Sequence, residues 1–180
     1  MDASEPFALS PSGGPPDLDD KPEGFRRVAG ALSERGHPHA PLWLEVSART
    51  SQEAADALGV AVGQIAKSVI FRRKDDDRAV LVVTSGDRRV DEKKVAAIAG
   101  ALRRADADFV KAKTGFSIGG VAPLAHCEAP ITLIDRELFR YTEVWAAAGH
   151  PNGVFRLAPG ELQVLTGAPV HDVTQDAAAA

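Results

Sequence analysis

The chain is poor in the residues that usually announce a chemistry. Of its 180 residues one is cysteine, one methionine and one tyrosine, and aromatics make up 6%. The lone cysteine, Cys127, excludes an internal disulfide and any cysteine-based zinc knuckle within one chain. No apolar run approaches the roughly 20 residues that cross a bilayer, and the first residues are acidic and rich in proline and glycine instead of basic and then apolar. Neither a membrane anchor nor a signal peptide is therefore expected, and the protein reads as soluble and cytoplasmic. Ser68, Ser85 and Ser117 lie in no nucleophile elbow, so a Ser-His-Asp hydrolase has no local signature.

Metal and nucleotide signatures are thin as well. His37 and His39 flank Pro38, and His126 adjoins Cys127, but no third and fourth ligand accompanies either pair at a suitable spacing. Structural roles are expected for all four, and no metal or cofactor is expected. The segment from Gly59 to Ser68 superficially resembles a P-loop, yet Ala66 stands where that loop needs glycine before its lysine, and Lys67 leads into a strand instead of a helix. Gly115 to Gly120 lacks the G-x-G-x-x-G order of a dinucleotide site.

What is present suffices for one well-buried core: 44% of the chain is hydrophobic, and 180 residues are too few for two ordinary domains and a linker. The net charge of -4 speaks against a protein that coats nucleic acid. The charge is uneven, however. Lys67 to Lys113 holds thirteen Lys/Arg against eight Asp/Glu, a local +5, and the remainder holds eight against seventeen, or -9. Two readings stand, a basic patch for phosphates and a solvated surface of mixed charge.

Residues 1–21, with their prolines and glycines, read as a disordered or loosely attached arm, and 22–180 as a single domain. Phe25, Val28, Ala29 and Leu32 recur at helical spacing before Gly36. Leu42 to Val46 reads as a strand, and Thr50 with Glu53 as a capping box for a short helix ending at Gly59. Ser68 to Arg73 and Ala79 to Thr84 predict an antiparallel hairpin around an acidic turn. Asp91 opens a helix whose buried side runs through Val95, Ala99 and Leu102, and Asp106 or Asp108 caps another through Lys113. Strands follow at Ile131 to Ile134, Glu143 to Ala147 and Val154 to Leu157, the last two around an Asn152-Gly153 reversal. A last helical turn covers Glu161 to Leu165, and Val170 to Val173 is placed to close the sheet. The predicted class is α+β, with a curled mixed β-sheet surrounded by helices.

Two places carry the chemistry. Thr114 to Leu124 sets Gly115, Gly119, Gly120 and Pro123 among small apolar residues, a loop built to offer backbone N–H groups to an oxygen. Its bland reading is a helix stop and a structural turn. Lys67 stands at the mouth of the apolar run Val69-Ile70-Phe71. A buried ammonium there needs a polar or anionic partner or a depressed pKa, whereas an exposed one is an ordinary surface lysine.

At these residues the chain resembles the YbaK/EbsC family of aminoacyl-tRNA deacylases, which includes the editing domain of bacterial prolyl-tRNA synthetases and its free-standing relatives. The likeness runs from about Phe25 to Val173 and rests on Gln64 to Phe71, Val90 to Val95, Thr114 to Leu124 and Ile131 to Asp135 in that order. Trp145 to Leu157 gives it the look of the short free-standing type that acts on alanyl or 2-aminobutyryl esters. The resemblance implies hydrolysis of the ester joining a wrong small amino acid to tRNA, with tRNA for proline the expected carrier and no metal. The alternative is a non-catalytic module that binds nucleic acid or a synthetase. Mischarged tRNA is the implied partner, and prolyl-tRNA synthetase a further candidate. Lys67 takes the position of the family's essential lysine, and Gly119 to Pro123 matches the family's G-x-x-x-P loop, with Gly119 and Gly120 as backbone donors. Gly115, Pro123, Ser85, His126 and His150 complete the expected substrate-binding set. Relatives acting on cysteinyl-tRNA carry a tyrosine near what is here Val46 or Ser47, which turns the expectation away from cysteine.

Overall fold

Three of the helices begin where a side chain caps the first amides and end where a glycine turns the chain out. The computed structural model describes residues 17–176. Helix α1 (Glu23–Glu34) buries Phe25, Val28, Ala29 and Leu32 on one stripe. Helix α2 (Ser51–Leu58) begins where Thr50 Oγ1 accepts the Glu53 amide and ends at left-handed Gly59. Asp91 caps α3 (Glu92–Ala99) through the amides of Lys93 and Lys94, and Asp106 caps α4 (Ala107–Thr114) through that of Phe109. Helix α5 (Pro159–Thr166) carries proline in its first turn, where the missing N–H costs nothing.

The strands are β1 (Leu42–Trp43), β2 (Ile65–Arg73), β3 (Ala79–Ser85), β4 (Leu102–Arg104), β5 (Ile131–Asp135), β6 (Val144–Ala147), β7 (Gly153–Leu157) and β8 (Val170–His171). They form one open mixed sheet in the order β1-β7-β6-β2-β3-β5-β8, with β4 added to β2. The hairpin β2–β3 is antiparallel, and β2–β6, β3–β5 and β5–β8 are parallel. Strand β3 is buried along its whole length because both faces are covered. Leu81 and Val83 join a large core with Phe25, Phe116, Ile134 and Phe155, whereas Val80 and Val82 join a smaller one with Val95, Leu133 and Val173. A third cluster sets Ala54, Ala55 and Ile65 against Trp145. Buried Asp135 ties the end of β5 to the last segment, accepting from the Val173 amide at 3.1 Å and the Thr174 hydroxyl at 3.2 Å. Burial pushes its carboxyl above the ordinary value.

The expected mixed sheet with covering helices is therefore present in a single α/β domain, but two elements differ from expectation. Beyond Trp43 the segment to Val46 is not laddered; the Leu44 and Ala48 amides instead donate to Asn152 O and Pro151 O. Helix α3 stops at Ala99, since Gly100 takes φ +96° and Lys74 donates to Ala101 O, drawing Leu102 into the sheet edge as β4. The expected loose arm lies outside the described residues as far as residue 16. From 17 onward the chain is held, with Leu18 packed on the large core and Lys21 Nζ 5.4 Å above the Trp43 ring.

Candidate active site

On the side away from β3, β2 has two neighbours in succession and a break between them. Strand β6 pairs with Ile65 and Ala66, and β4 pairs with Phe71 to Arg73. Lys67, Ser68, Val69 and Ile70 have no strand partner on that side, and all four line a cavity of about 330 Å³. Residues of two core clusters meet at this seam to line the cavity. Ala66, Val110 and Val121 of the large core line it, and so do Ala54, Ile65 and Trp145 of the third cluster. Its walls are mostly apolar, and among the described residues no aspartate or glutamate lines it and its charged residues are Arg49 and Lys67.

Lys67 is half-buried, and its Nζ donates to Arg88 O at 3.2 Å. Burial lowers its pKa first and nearby Arg89 lowers it further, while Asp87 opposes the shift. The turn from Ser117 to Val121 borders the same cavity through Ile118, Gly119 and Val121. Gly119 adopts φ +94°, which only glycine takes without strain, and a Cβ there would meet Arg49 Cγ at 3.5 Å. Among the described residues its amide donates to no carbonyl or side chain. His150 stacks on Trp43 with ring centroids 4.9 Å apart, and its Nδ1 accepts the Asn152 amide at 3.1 Å. Burial, then Arg49, holds its pKa below the ordinary value.

Lys67, Gly119 and His150 thus share one cavity. The other residues expected at the site do not line it. The Gly120 amide donates to Ser117 O at 3.0 Å, so it closes the turn instead of serving as a free donor, and a Cβ there would lie 2.8 Å from the His150 backbone. Gly115 is the left-handed cap of α4. Ser85 is fully buried, with its hydroxyl donating to Gly63 O and accepting from Arg140 at 2.8 Å. Pro123 and His126 border a separate hollow of about 240 Å³. There His126 Nε2 bonds Ala122 O at 2.7 Å, and burial keeps the ring below its ordinary pKa.

Sequence reasoning missed four contributors. Arg49 and Ser51 reach the cavity from the start of α2, and Ser68 and Trp145 carry buried polar atoms, Oγ and Nε1, that have no hydrogen-bond partner among the described residues. Adjacency to Lys67 was the one available signal for Ser68, and nothing local marked the others. Among the described residues no group of three or more His, Cys, Asp or Glu is placed to hold a metal ion, and no helix is long and apolar enough to cross a membrane. The arrangement offers a half-buried lysine, a left-handed turn whose Gly119 amide has no partner among the described residues, and apolar walls. Such a site can orient a small polar electrophile and stabilise negative charge on it.

The model of the aminoacyl-tRNA editing domain family matches residues 45–165. An uncharacterised protein of Bacillus subtilis (strain 168), YwhH, is 35% identical over 134 residues, 73% of this chain and 85% of that protein. The proline–tRNA ligase of Pelotomaculum thermopropionicum is 41% identical over 78 residues, 42% of this chain but 13% of the ligase. A solved structure described as a candidate trans-editing enzyme for prolyl tRNA synthetase superposes with a TM-score of 0.80 at 42% identity, covering 86% of this chain and 99% of that one. The hypothetical protein APE2540 superposes with a TM-score of 0.77 at 32% identity, covering 83% and 99%.

Proposed function

Because the chain belongs to the aminoacyl-tRNA editing domain family, we propose that it is a free-standing deacylase that removes a small, wrongly attached amino acid from tRNA. Alanine on tRNA for proline is the first substrate to try. The observation that carries this reading is the single cavity at the sheet seam that joins Lys67 to the Gly119 turn. Its volume of about 330 Å³ lies at the small end of ligand sites, which suits a short acyl group with part of a ribose.

In the reaction, water adds to the ester carbonyl carbon, the bond from that carbon to the ribose oxygen breaks, and the ribose oxygen takes a proton. Free amino acid and tRNA leave. Among the described residues no carboxylate lines the cavity to act as base, and in the mechanism that the family resemblance implies the neighbouring ribose hydroxyl of the substrate assists the water. The Gly119 amide donates to the developing oxyanion, for which one donor is worth about 2.7 to 4 kcal/mol. Lys67 holds the terminal nucleotide by its charge. Selection is by size: a methylene changes apolar binding by only about 1 to 3 kcal/mol, so larger residues are excluded sterically while close homologues separate poorly.

The test is deacylation of a panel of mischarged tRNAs by the wild type and Lys67→Ala. Wild-type turnover of small esters and a loss of about a hundredfold or more in the variant are expected. Salt-sensitive tRNA binding without ester loss would instead make the protein a non-catalytic module.

A further inference from the structure

The seam exposes main chain as well as side chains. Along β2 the Arg73 amide donates to Arg78 O on the β3 side, and the Lys74 amide donates to Ala101 O on the β4 side. Backbone groups of successive strand residues point to opposite edges, so the even-numbered positions Arg72, Ile70 and Ser68 turn their N–H and C=O toward β4 and the seam. Arg72 finds Arg103 there. Ser68, two residues beyond the last partner of β6 and three before the first partner of β4, finds none. Its hydroxyl is also buried without a partner among the described residues. Ser68 therefore brings to the cavity a main-chain edge with no strand partner at the seam and a side-chain hydroxyl with no partner among the described residues.

An aminoacyl ester carries an amine one carbon from the carbonyl, and placing that amine in an apolar cavity costs several kcal/mol unless acceptors meet it. No carboxylate lines this cavity, and its charged residues, Arg49 and Lys67, repel an ammonium. Thr50 and Ser51 offer hydroxyls, but Thr50 Oγ1 already accepts the Glu53 amide. Both also stand at the start of α2, the positive end of its dipole. Ser68 is free of both objections, and rotation about one bond moves its Oγ between staggered positions.

We propose, resting on the deacylase reading above, that Ser68 is the amine-recognition residue: its carbonyl oxygen and Oγ receive the α-amino group of the acyl chain, laying the ester along the open edge of β2. The substrate then completes the seam as an added strand residue would. It follows that the protein distinguishes an aminoacyl ester from an acyl ester of the same size.

Alanyl-tRNA and propionyl-tRNA differ by that amine alone, so kcat/KM is measured on both, each divided by the spontaneous hydrolysis rate of the same ester. Ser68→Ala is expected to lose about tenfold on the alanyl ester, the scale of a hydrogen bond to a charged group, and less than about twofold on the propionyl ester. Ser68→Thr and Ser68→Val have nearly equal shape and suit a strand. The threonine variant is expected to keep the preference for the alanyl ester and the valine variant to lose it, which decides the matter even if Ser68→Ala folds poorly. Equal losses on both esters, or none on either, overturn the assignment while leaving the deacylase reading intact. Failure of the wild type to hydrolyse either ester overturns both.

Discussion

At Lys67 the surroundings work against the charge that the proposed reaction uses. Burial and Arg89 both favour the neutral amine, with Asp87 opposing, so the folded pKa lies below the ordinary lysine value of 10.5. The charged form is present below that depressed pKa and is lost as pH rises through it. An activity that needs the ammonium therefore declines on the alkaline side sooner than an ordinary lysine would allow. Arginine keeps its charge throughout this range, so Lys67→Arg is expected to be slower but to lack that decline. The measurement is kcat against pH for the two proteins, corrected for spontaneous ester loss; superimposable alkaline limbs would remove the Lys67 charge from the mechanism. That Lys67 and Gly119 border one cavity was legible because each belongs to a continuous motif. Arg49 and Trp145 were not, since only the meeting of α2, β2 and β6 makes them walls of one cavity, and no short segment encodes that meeting.

At the scale of elements, the site depends on one turn resting on another. Leu44 and Ala48 are pinned by the reversal after β6, through Asn152 O at 2.7 Å and Pro151 O at 2.8 Å. The Gly120 backbone packs on the same reversal at His150 so closely that a Cβ would lie 2.8 Å from it. Gly120→Ala must displace one turn from the other and is expected to cost about 1 to 3 kcal/mol, the usual range for overpacking, lowering Tm together with activity. Gly119→Ala has room for its Cβ, 3.5 Å from Arg49, and carries mainly the strain of a positive φ, about 1 to 2 kcal/mol. Its Tm should fall less, while its activity falls through the reoriented amide. Thermal melts and deacylation rates of the two variants check this; a larger Tm loss for Gly119→Ala would contradict the packing assigned to Gly120. The caps Thr50, Asp91 and Asp106 were legible because capping is local. Strand β4 was not: Leu102 continues the apolar spacing of α3, and only pairing with β2, some thirty residues upstream, makes it a strand.

Across the whole molecule, the local excess of positive charge between Lys67 and Lys113 resolves into paired and unpaired cations. Arg72 and Arg103 share Asp77, Arg73 is held by Asp76, and Arg88 faces Glu137. Within that stretch Arg89 and Arg104, and upstream of it Arg49, are exposed and form no ion pair among the described residues. Each is tied to the cavity: Arg49 lines it, Arg89 acts on Lys67, and Arg104 precedes the lining residue Ala105. Cations already neutralised by carboxylates gain little from a phosphate, whereas unpaired ones release counterions from it. On the deacylase reading proposed above, these three arginines are the cations assigned to the phosphates of the tRNA end. For single strands the salt slope changes by about 0.7 per phosphate contact. Replacing Arg89 and Arg104 by glutamine is expected to weaken tRNA binding and to flatten the plot of log K against log salt by about 1.4, with hydrolysis of a minimal aminoacyl ester nearly unchanged. Binding isotherms across a salt series, read beside turnover of the minimal ester, separate this role from a structural one. An unchanged slope would move the nucleic-acid surface elsewhere, and a parallel loss on the minimal ester would mean that the arginines shape the cavity itself.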